Sequence, residues 1–333
     1  MRKLATIRKI NDLQPIEGAD KIEVAIIDGW KVVAQKGLYQ VGDLAVYFEI
    51  DSWIPTELAP FLSKGKEPRE FEGVKGERLK TIKLRGQLSQ GLLMPLDEAI
   101  PETTSFVEGD DVTEYLGIKK WEKPMNAQLA GVCRGNFPSL IPKTDQERVQ
   151  NIKKELLAAQ GELFEVTEKL EGSSMTVYRI EGEFGVCSRN MDLKRDENNS
   201  FWKTALFLDI EGKMIAQGMD NFAIQGELIG PGIQNNIYGL TQFEFHVFDI
   251  YSIKDGEYIT PQRRQDMVKQ LGLTHVPVLD DMFIMTDNID ELLRLAEGAS
   301  RLASVEREGL VFKHLNGGMS FKAISNKYLL DEK

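Results

Sequence analysis

The sequence predicts an α+β protein of two domains, a small β-barrel followed by a larger domain of antiparallel sheets overlaid by helices. Three observations predict it. Residues 1–100 break into short apolar runs separated by Gly- and Asp-rich turn signals. Residues 121–143 are punctuated by Gly and Pro and carry little periodicity, as a linker does. Beyond 144, runs with strand alternation and runs with helical spacing follow one another, as hairpins with helices laid over them would. The domains are accordingly expected at 1–120 and 144–333, with the linker at 121–143.

In the first domain a strand at 22–27 runs into Asp28-Gly29, a pair that accepts the positive φ angles of a two-residue hairpin turn. Residues 30–34 return beside it, and Val41-Gly42-Asp43 turns the chain into a strand at 44–50. Short strands at this spacing suggest a closed barrel of the OB kind. No internal repeat or low-complexity tract interrupts the pattern.

The second domain opens on Thr144-Asp145-Gln146-Glu147, a capping box in which the Thr hydroxyl and Glu carboxylate satisfy free amides at a helix start. Val149, Ile152, Leu156 and Leu157 follow at helical spacing, and Gly161 offers a left-handed stop. A strand at 163–167 runs straight into Lys169. Residues 175–180 pair with 184–188 through Glu181-Gly182, and further strands are expected at 222–229 and 243–250. Pro261 sits where a helix can spare an amide, at its first position. Ile289, Leu292, Leu293 and Ala296 mark another helix, and strands at 309–313 and 319–324 follow.

Composition narrows the class. Of 333 residues, 42% are apolar and 28% charged, an ordinary balance for a soluble globular protein. No apolar run approaches the roughly 18 residues of a membrane-spanning helix, and the start is too charged for a secretory leader. Cys133 and Cys187 form no framework of disulfides, which fits a reducing cytoplasm. The net charge of −11 argues against coating nucleic acid by bulk charge. Residues 64–85 nevertheless hold eight basic side chains against four acidic ones. That stretch reads either as a solvated loop and strand or as a surface facing a polyanion.

The chemistry centres on Lys169-Leu170-Glu171-Gly172, at a strand end and followed by Ser173-Ser174 and another strand. Alone, a Lys-x-x-Gly string is common enough to be a surface turn. An attacking amine must be neutral, so its pKa has to fall below the ~10.4 of free lysine. Burial and neighbouring cations would lower it, Lys313 and Lys322 being candidates. His246, His275 and His314 lack metal-ligand spacing, and no G-x-x-x-x-G-K-[ST] loop is present to cradle phosphates.

The string resembles motif I of the covalent nucleotidyltransferases, which comprise DNA ligases, RNA ligases and mRNA capping enzymes. Their other motifs appear in order. Ser188-Arg189-Asn190 resembles motif Ia, Gln225-Gly226-Glu227-Leu228-Ile229-Gly230 motif III, and Phe245-His246-Val247-Phe248-Asp249-Ile250 motif IIIa. Glu308-Gly309-Leu310-Val311-Phe312-Lys313 resembles motif IV, and Phe321-Lys322-Ala323-Ile324 motif V. DNA ligases and capping enzymes carry an OB domain after motif V. Here 11 residues follow Lys322, so no such domain is expected, and the barrel comes first instead. That order resembles the fifth family of RNA ligases, as do the strings Pro15-Ile16-Glu17-Gly18-Ala19-Asp20 and Pro142-Lys143-Thr144-Asp145-Gln146-Glu147-Arg148.

The resemblance implies an ATP-grasp-like nucleotidyltransferase domain and an ATP-dependent RNA ligase, acting in RNA repair through lysyl-AMP and RNA-adenylate. The alternatives are a DNA ligase or capping enzyme on the same core, or a non-catalytic RNA-binding protein with a vestigial nucleotide site. It implies Lys169 as nucleophile, Arg189 and Glu227 on the ribose, and Lys313, Lys322 and Arg148 on the phosphates. Glu168 joins the nucleotide-binding set. Phe243, Phe245 and Val247 alternate like core residues, yet an aromatic of this motif stacks on adenine, and Phe245 is preferred to Phe248. Glu171 and Glu308 would orient hydrated Mg2+ (or Mn2+). Many members have Asp where Glu171 stands, and some have Lys where Ser320 stands, with Lys327 a candidate replacement. The expected partner is RNA with 5′-phosphate and 3′-OH ends, possibly at a nick in a duplex. No membrane is involved, and a monomer is expected.

Overall fold

The computed structural model describes residues 2–101, 106–122 and 133–331. The chain divides into two compact units, Met1–Pro124 with Leu329–Lys333, and Met125–Tyr328. Among the described residues no helix is long and apolar enough to cross a membrane.

The first unit is almost all strand. Leu44–Phe48 lies between Ala5–Lys9 and Leu92–Pro95, antiparallel to both. Asp12–Pro15, Ile22–Ile27 and Trp30–Gln35 form a second ladder, with Ile27 opposite Trp30 across the expected Asp28-Gly29 turn. A third ladder runs Lys119–Lys120, Ser52–Pro55, Val74–Arg78, Arg69–Phe71. Thr81–Leu84 and Gln87–Gln90 make a separate hairpin. Leu4, Ile7, Val46, Phe48, Ile54 and Met94 fill the space between. A closed barrel was expected; the described strands instead form these separate ladders. One cause is Asp51, whose φ of 71° turns the chain between Phe48 and Ser52 and sends the two strands into different sheets.

The second unit holds two sheets. The larger runs Cys133–Asn136, Met191–Leu193, Glu183–Cys187, Ser173–Ile180, Phe222–Ile229, Glu244–Ser252, Glu257–Tyr258, with Thr274–His275 added in parallel to Glu244–Ser252. Helices Ser200–Phe207, Ile210–Ala216 and Pro261–Gln270 contribute Phe201, Trp202, Ile210, Met214 and Val268 to its core. The smaller sheet runs Glu147–Arg148, Ser320–Ile324, Gly309–His314, Leu163–Lys169, Val278–Ile284. Lys153–Ala158 and Ile289–Ala296 cover it through Leu156, Leu292 and Leu293.

Two expectations for this region fail. The capping box at Thr144 does not form. The Thr144 hydroxyl bonds Ser174 Oγ at 2.7 Å, residues 144–146 are irregular, and the helix begins at Lys153. Glu147 and Arg148 are drawn into a strand beside Phe321 and Lys322 instead. The expected linker also ends early. Cys133–Asn136 is an edge strand of the larger sheet, and Phe137 and Ile141 pack beneath that sheet with Tyr178 and Tyr251. Residues 123–132 of that linker lie outside the described set.

Candidate active site

Lys169 is the last residue of its strand in the smaller sheet, and Ser173 is the first of a strand in the larger one. Leu170, Glu171 and Gly172 therefore carry the chain from sheet to sheet. Gly172 is required there because a Cβ would run into the Leu228 carbonyl and lie 2.9 Å from Glu227 Cγ. Its neighbours thus tie the turn after Lys169 to the strand that carries Glu227.

Three carboxylates converge on this turn. Lys169 Nζ lies 2.6 Å from Glu308 Oε1, with Lys169 26% exposed. Burial pushes the Glu227 carboxyl up to about 8; Lys169 opposes this, Glu308 adds to it, and Arg189 opposes it. Burial, reinforced by Glu308, also raises Glu171, while Asn235 holds its Oε1 at 3.0 Å. The Tyr238 hydroxyl accepts the Glu171 backbone N–H at 2.8 Å. The lysine departs from expectation. Burial lowers its pKa, but Glu308 and Glu227 outweigh burial and hold it above the ordinary lysine value. The cations foreseen as its neighbours do not govern it; carboxylates do.

The same carboxylates fit a hydrated divalent ion. Glu171 Oε2 is buried with no hydrogen-bond partner, and the proton affinities of Glu171 and Glu227 are raised, the signature of acidic groups short of cation. Among the described residues no group of three or more His, Cys, Asp or Glu side chains encloses a metal directly. An ion that keeps most of its waters needs only a few such contacts.

The cations divide into two sets. Lys322 stands in register with Val311, Val311 with Thr167, and Arg148 with Lys322, one cross-strand row on the face that carries Lys169. Arg189 follows the Glu183–Cys187 strand, pairs with Asp145 at 2.6 Å, and is close enough to Lys169 and Glu227 for its charge to work against the upward shift of both. Lys313 is different. It is buried, its Nζ is 2.7 Å from Asp249 Oδ1 and donates to the Phe248 carbonyl at 2.6 Å. Burial pushes its pKa down to about 8, Asp249 resisting. Arg264 joins the same cluster through Glu165, Asp249 and His275. Lys313 is therefore held inside the core by the protein's own anion and carbonyl. Ser320 Oγ donates to Gln146 at 2.6 Å, and Lys327 pairs with Glu297 at 3.0 Å.

Two residues expected at the nucleotide direct their side chains elsewhere. Phe245 is 2% exposed and packs among Met175, Leu228 and Val247, on the sheet face opposite Glu227. A register shift opposite Gln225 and Gly226 falls at Phe248, so that residue is turned to the other face. There it is half-buried beside Leu170, Ile229 and Tyr238, with Lys313 Nζ 5.6 Å from its ring. Glu168 alternates away from Lys169. Its carboxylate accepts the Ser300 hydroxyl and, at 2.8 Å, the Arg301 N–H, anchoring the loop that leads to Glu308.

Sequence reasoning missed the service of residues 142–146 as a strap between the sheets. Gln225 Nε2 donates to the Pro142 carbonyl at 2.8 Å, Lys143 bonds Asn190, Asp145 holds Arg189, and Gln146 takes Ser320. The string was legible; its long-range partners were not.

Residues 4–96 match a family model described as an OB-fold domain, and residues 162–325 match one described as RNA ligase. Among solved structures, Naegleria gruberi RNA ligase with PPi is similar at 47% identity, over 99% of this chain and 98% of that one, with a TM-score of 0.93. Variants of that ligase with ATP and Mn, and with AMP and Mn, match at 47% identity over 98% of each chain, again with a TM-score of 0.93. A comparison with curated proteins gives no match.

Proposed function

The chain belongs to the RNA ligase family, and from that premise we propose how its residues carry the reaction. It is an ATP-dependent RNA ligase with an N-terminal OB-fold domain and a C-terminal ligase domain. The observation that carries the mechanism is the 2.6 Å pairing of Lys169 Nζ with Glu308 at the turn between two sheets.

Lys169 attacks the ATP α-phosphorus. The Nζ–P bond forms, the bond to the bridging oxygen breaks, and pyrophosphate leaves. The ammonium must first give up a proton, and Glu308 is in hydrogen-bond reach to take it. The AMP then passes to an RNA 5′-phosphate and frees the lysine. Last, an RNA 3′-OH attacks that phosphate, a phosphodiester forms and AMP leaves. In these steps the protein mainly aligns groups and neutralises charge.

Arg189 and Glu227 fit the ribose, which supplies hydroxyls for a guanidinium and a carboxylate to hold. Lys322 and Arg148, on one row of one sheet face, fit the phosphates. Phe248 takes the adenine, because it shares the face of Glu227 and keeps part of its ring open. Glu171 and Glu308 would orient hydrated Mg2+ or Mn2+, as the unpartnered Glu171 oxygen suggests. When bound, such an ion neutralises phosphate charge. The relative carrying ATP and Mn supports that pairing here.

The substrate ends are a 5′-phosphate and a 3′-OH on RNA, the domain of residues 1–120 holds the nucleic acid, and the chain acts as a monomer in RNA repair. The cytoplasm suits Cys133 and Cys187, which are not joined in a disulfide. The test is sealing of nicked duplexes carrying RNA or DNA on each side of the nick. RNA at the 3′-OH side should be sealed and DNA there should not; equal sealing of both supports the DNA ligase reading instead.

A further inference from the structure

The basic stretch at 64–85 is not one surface. Its ion pairs neutralise part of it: Lys75 with Glu67 at 3.0 Å, Arg78 with Asp51 at 2.6 Å, and Arg69 with Glu77 at 3.7 Å. The free charge lies further along, in and just before the hairpin of Thr81–Leu84 and Gln87–Gln90. Residues 80–90 contain Lys80, Lys83 and Arg85 and no acidic residue, in a chain of net charge −11. Among the described residues neither Lys83 nor Arg85 is in an ion pair.

The hairpin is anchored at its base and bare at its tip. Ser89 accepts the Val33 N–H at 2.9 Å, and Gln90 and Thr81 are buried. Residues 82–86 are all exposed. Ile82 and Leu84 are 46% and 39% exposed, on the face opposite that of Lys83. Thr81–Leu84 pairs with no other strand, so its outer edge is open. Arg85 and Gly86 take the turn with φ of 51° and 80°, a geometry for which Asn is a low-strain first residue. Open apolar side chains, an open edge and unpaired cations on one ribbon describe a surface left for a partner.

We propose that this hairpin is an RNA-binding ribbon. Lys83 and Arg85 take backbone phosphates, and Ile82 and Leu84, on the other face of the ribbon, pack on a sugar or exposed base there. Charge selects the partner: an acidic protein that must hold a polyanion needs a local basic element, and this is the hairpin where no carboxylate cancels it. The inference rests on the ligase reading above.

The test uses the full chain and a nicked RNA duplex with 5′-phosphate and 3′-OH ends. Affinity is measured across a salt series for wild type, for Lys83→Ala with Arg85→Asn, and for Lys75→Ala, whose charge is already paired. Asn keeps the turn, so folding is not at stake. The double variant should bind more weakly, with a salt slope shallower by about 2, while Lys75→Ala keeps a slope near wild type. Ile82→Ser with Leu84→Ser should lower affinity without changing the slope. All variants should form the lysyl-AMP adduct as wild type does. A wild-type slope in the double variant overturns the ribbon, and leaves the hairpin to a protein partner. Absence of the adduct in wild type overturns the ligase reading itself, which separates the two failures.

Discussion

Lys169 Nζ and Glu308 Oε1 stand 2.6 Å apart, so the proposed nucleophile is kept as an ammonium paired with a carboxylate. Burial works against that charged form, yet Glu308 and Glu227 together prevail and the lysine pKa is raised. The protein therefore stores a protonated, unreactive lysine, and the step that frees the amine is part of the reaction.

A pH dependence follows for adduct formation. In single turnovers at limiting Mg2+, the rate should climb steadily between about pH 6 and 9 as the amine loses its proton. Glu308→Gln removes the carboxylate that most strongly opposes burial at Lys169, so its rise should move to lower pH even as the maximal rate falls. A profile flat across that range would mean the lysine is already neutral.

Glu227 makes a stability prediction of the opposite sense to most carboxylates. Its folded pKa is about 8, chiefly through burial, while an unfolded Glu titrates near ~4.3. Between those values the folded protein holds more protons, so stability falls as pH rises from about 4.3 to 8. Glu227→Gln removes this term. Its melting temperature should exceed that of wild type by more at pH 8.5 than at pH 5, while ligation is lost. Equal differences at both pH values would show that the carboxyl is not shifted.

The two phenylalanines should separate cleanly. Phe245→Ala opens a hole in a packed core and should cost about 3–5 kcal/mol of stability. Phe248→Ala should leave folding nearly intact and raise the KM for ATP. Stacking on a base contributes roughly 1–3 kcal/mol, about 5- to 150-fold in affinity. Calorimetry and ATP titration on both variants decide it, and a KM effect confined to Phe245→Ala would reverse the assignment.

Lys313 and Lys322 should likewise differ. Lys313→Ala leaves Asp249 buried without its closest cation and should destabilise the fold by about 3–5 kcal/mol. Lys322→Ala should melt near wild type and fail in adenylation. If Lys313→Ala folds with wild-type stability and only its ATP kinetics change, the phosphate role returns to Lys313.

Much of this was legible in the sequence, for identifiable reasons. Strands such as Phe222–Ile229 and helices such as Ile289–Ala296 follow from local alternation and spacing, and Pro261 opens its helix as expected. The lysine at the strand end was read from chain order. What failed depended on partners distant along the chain. Thr144 spells a cap but finds Ser174, and Arg148 finds a strand 174 residues on at Lys322. One bulge in the Glu244–Ser252 strand changes which phenylalanine faces the site, and alternation alone cannot show a bulge. Asp249 and Arg264 gave no local signal that Lys313 would be drawn into the core.

The central claim is that Lys169 carries AMP. Wild-type protein incubated with α-labelled ATP and Mg2+, then digested and mapped by mass spectrometry, should yield one acid-labile, alkali-stable AMP adduct on the peptide containing Lys169. Lys169→Ala should yield none. An adduct on another residue, or none in the wild type, would contradict the account.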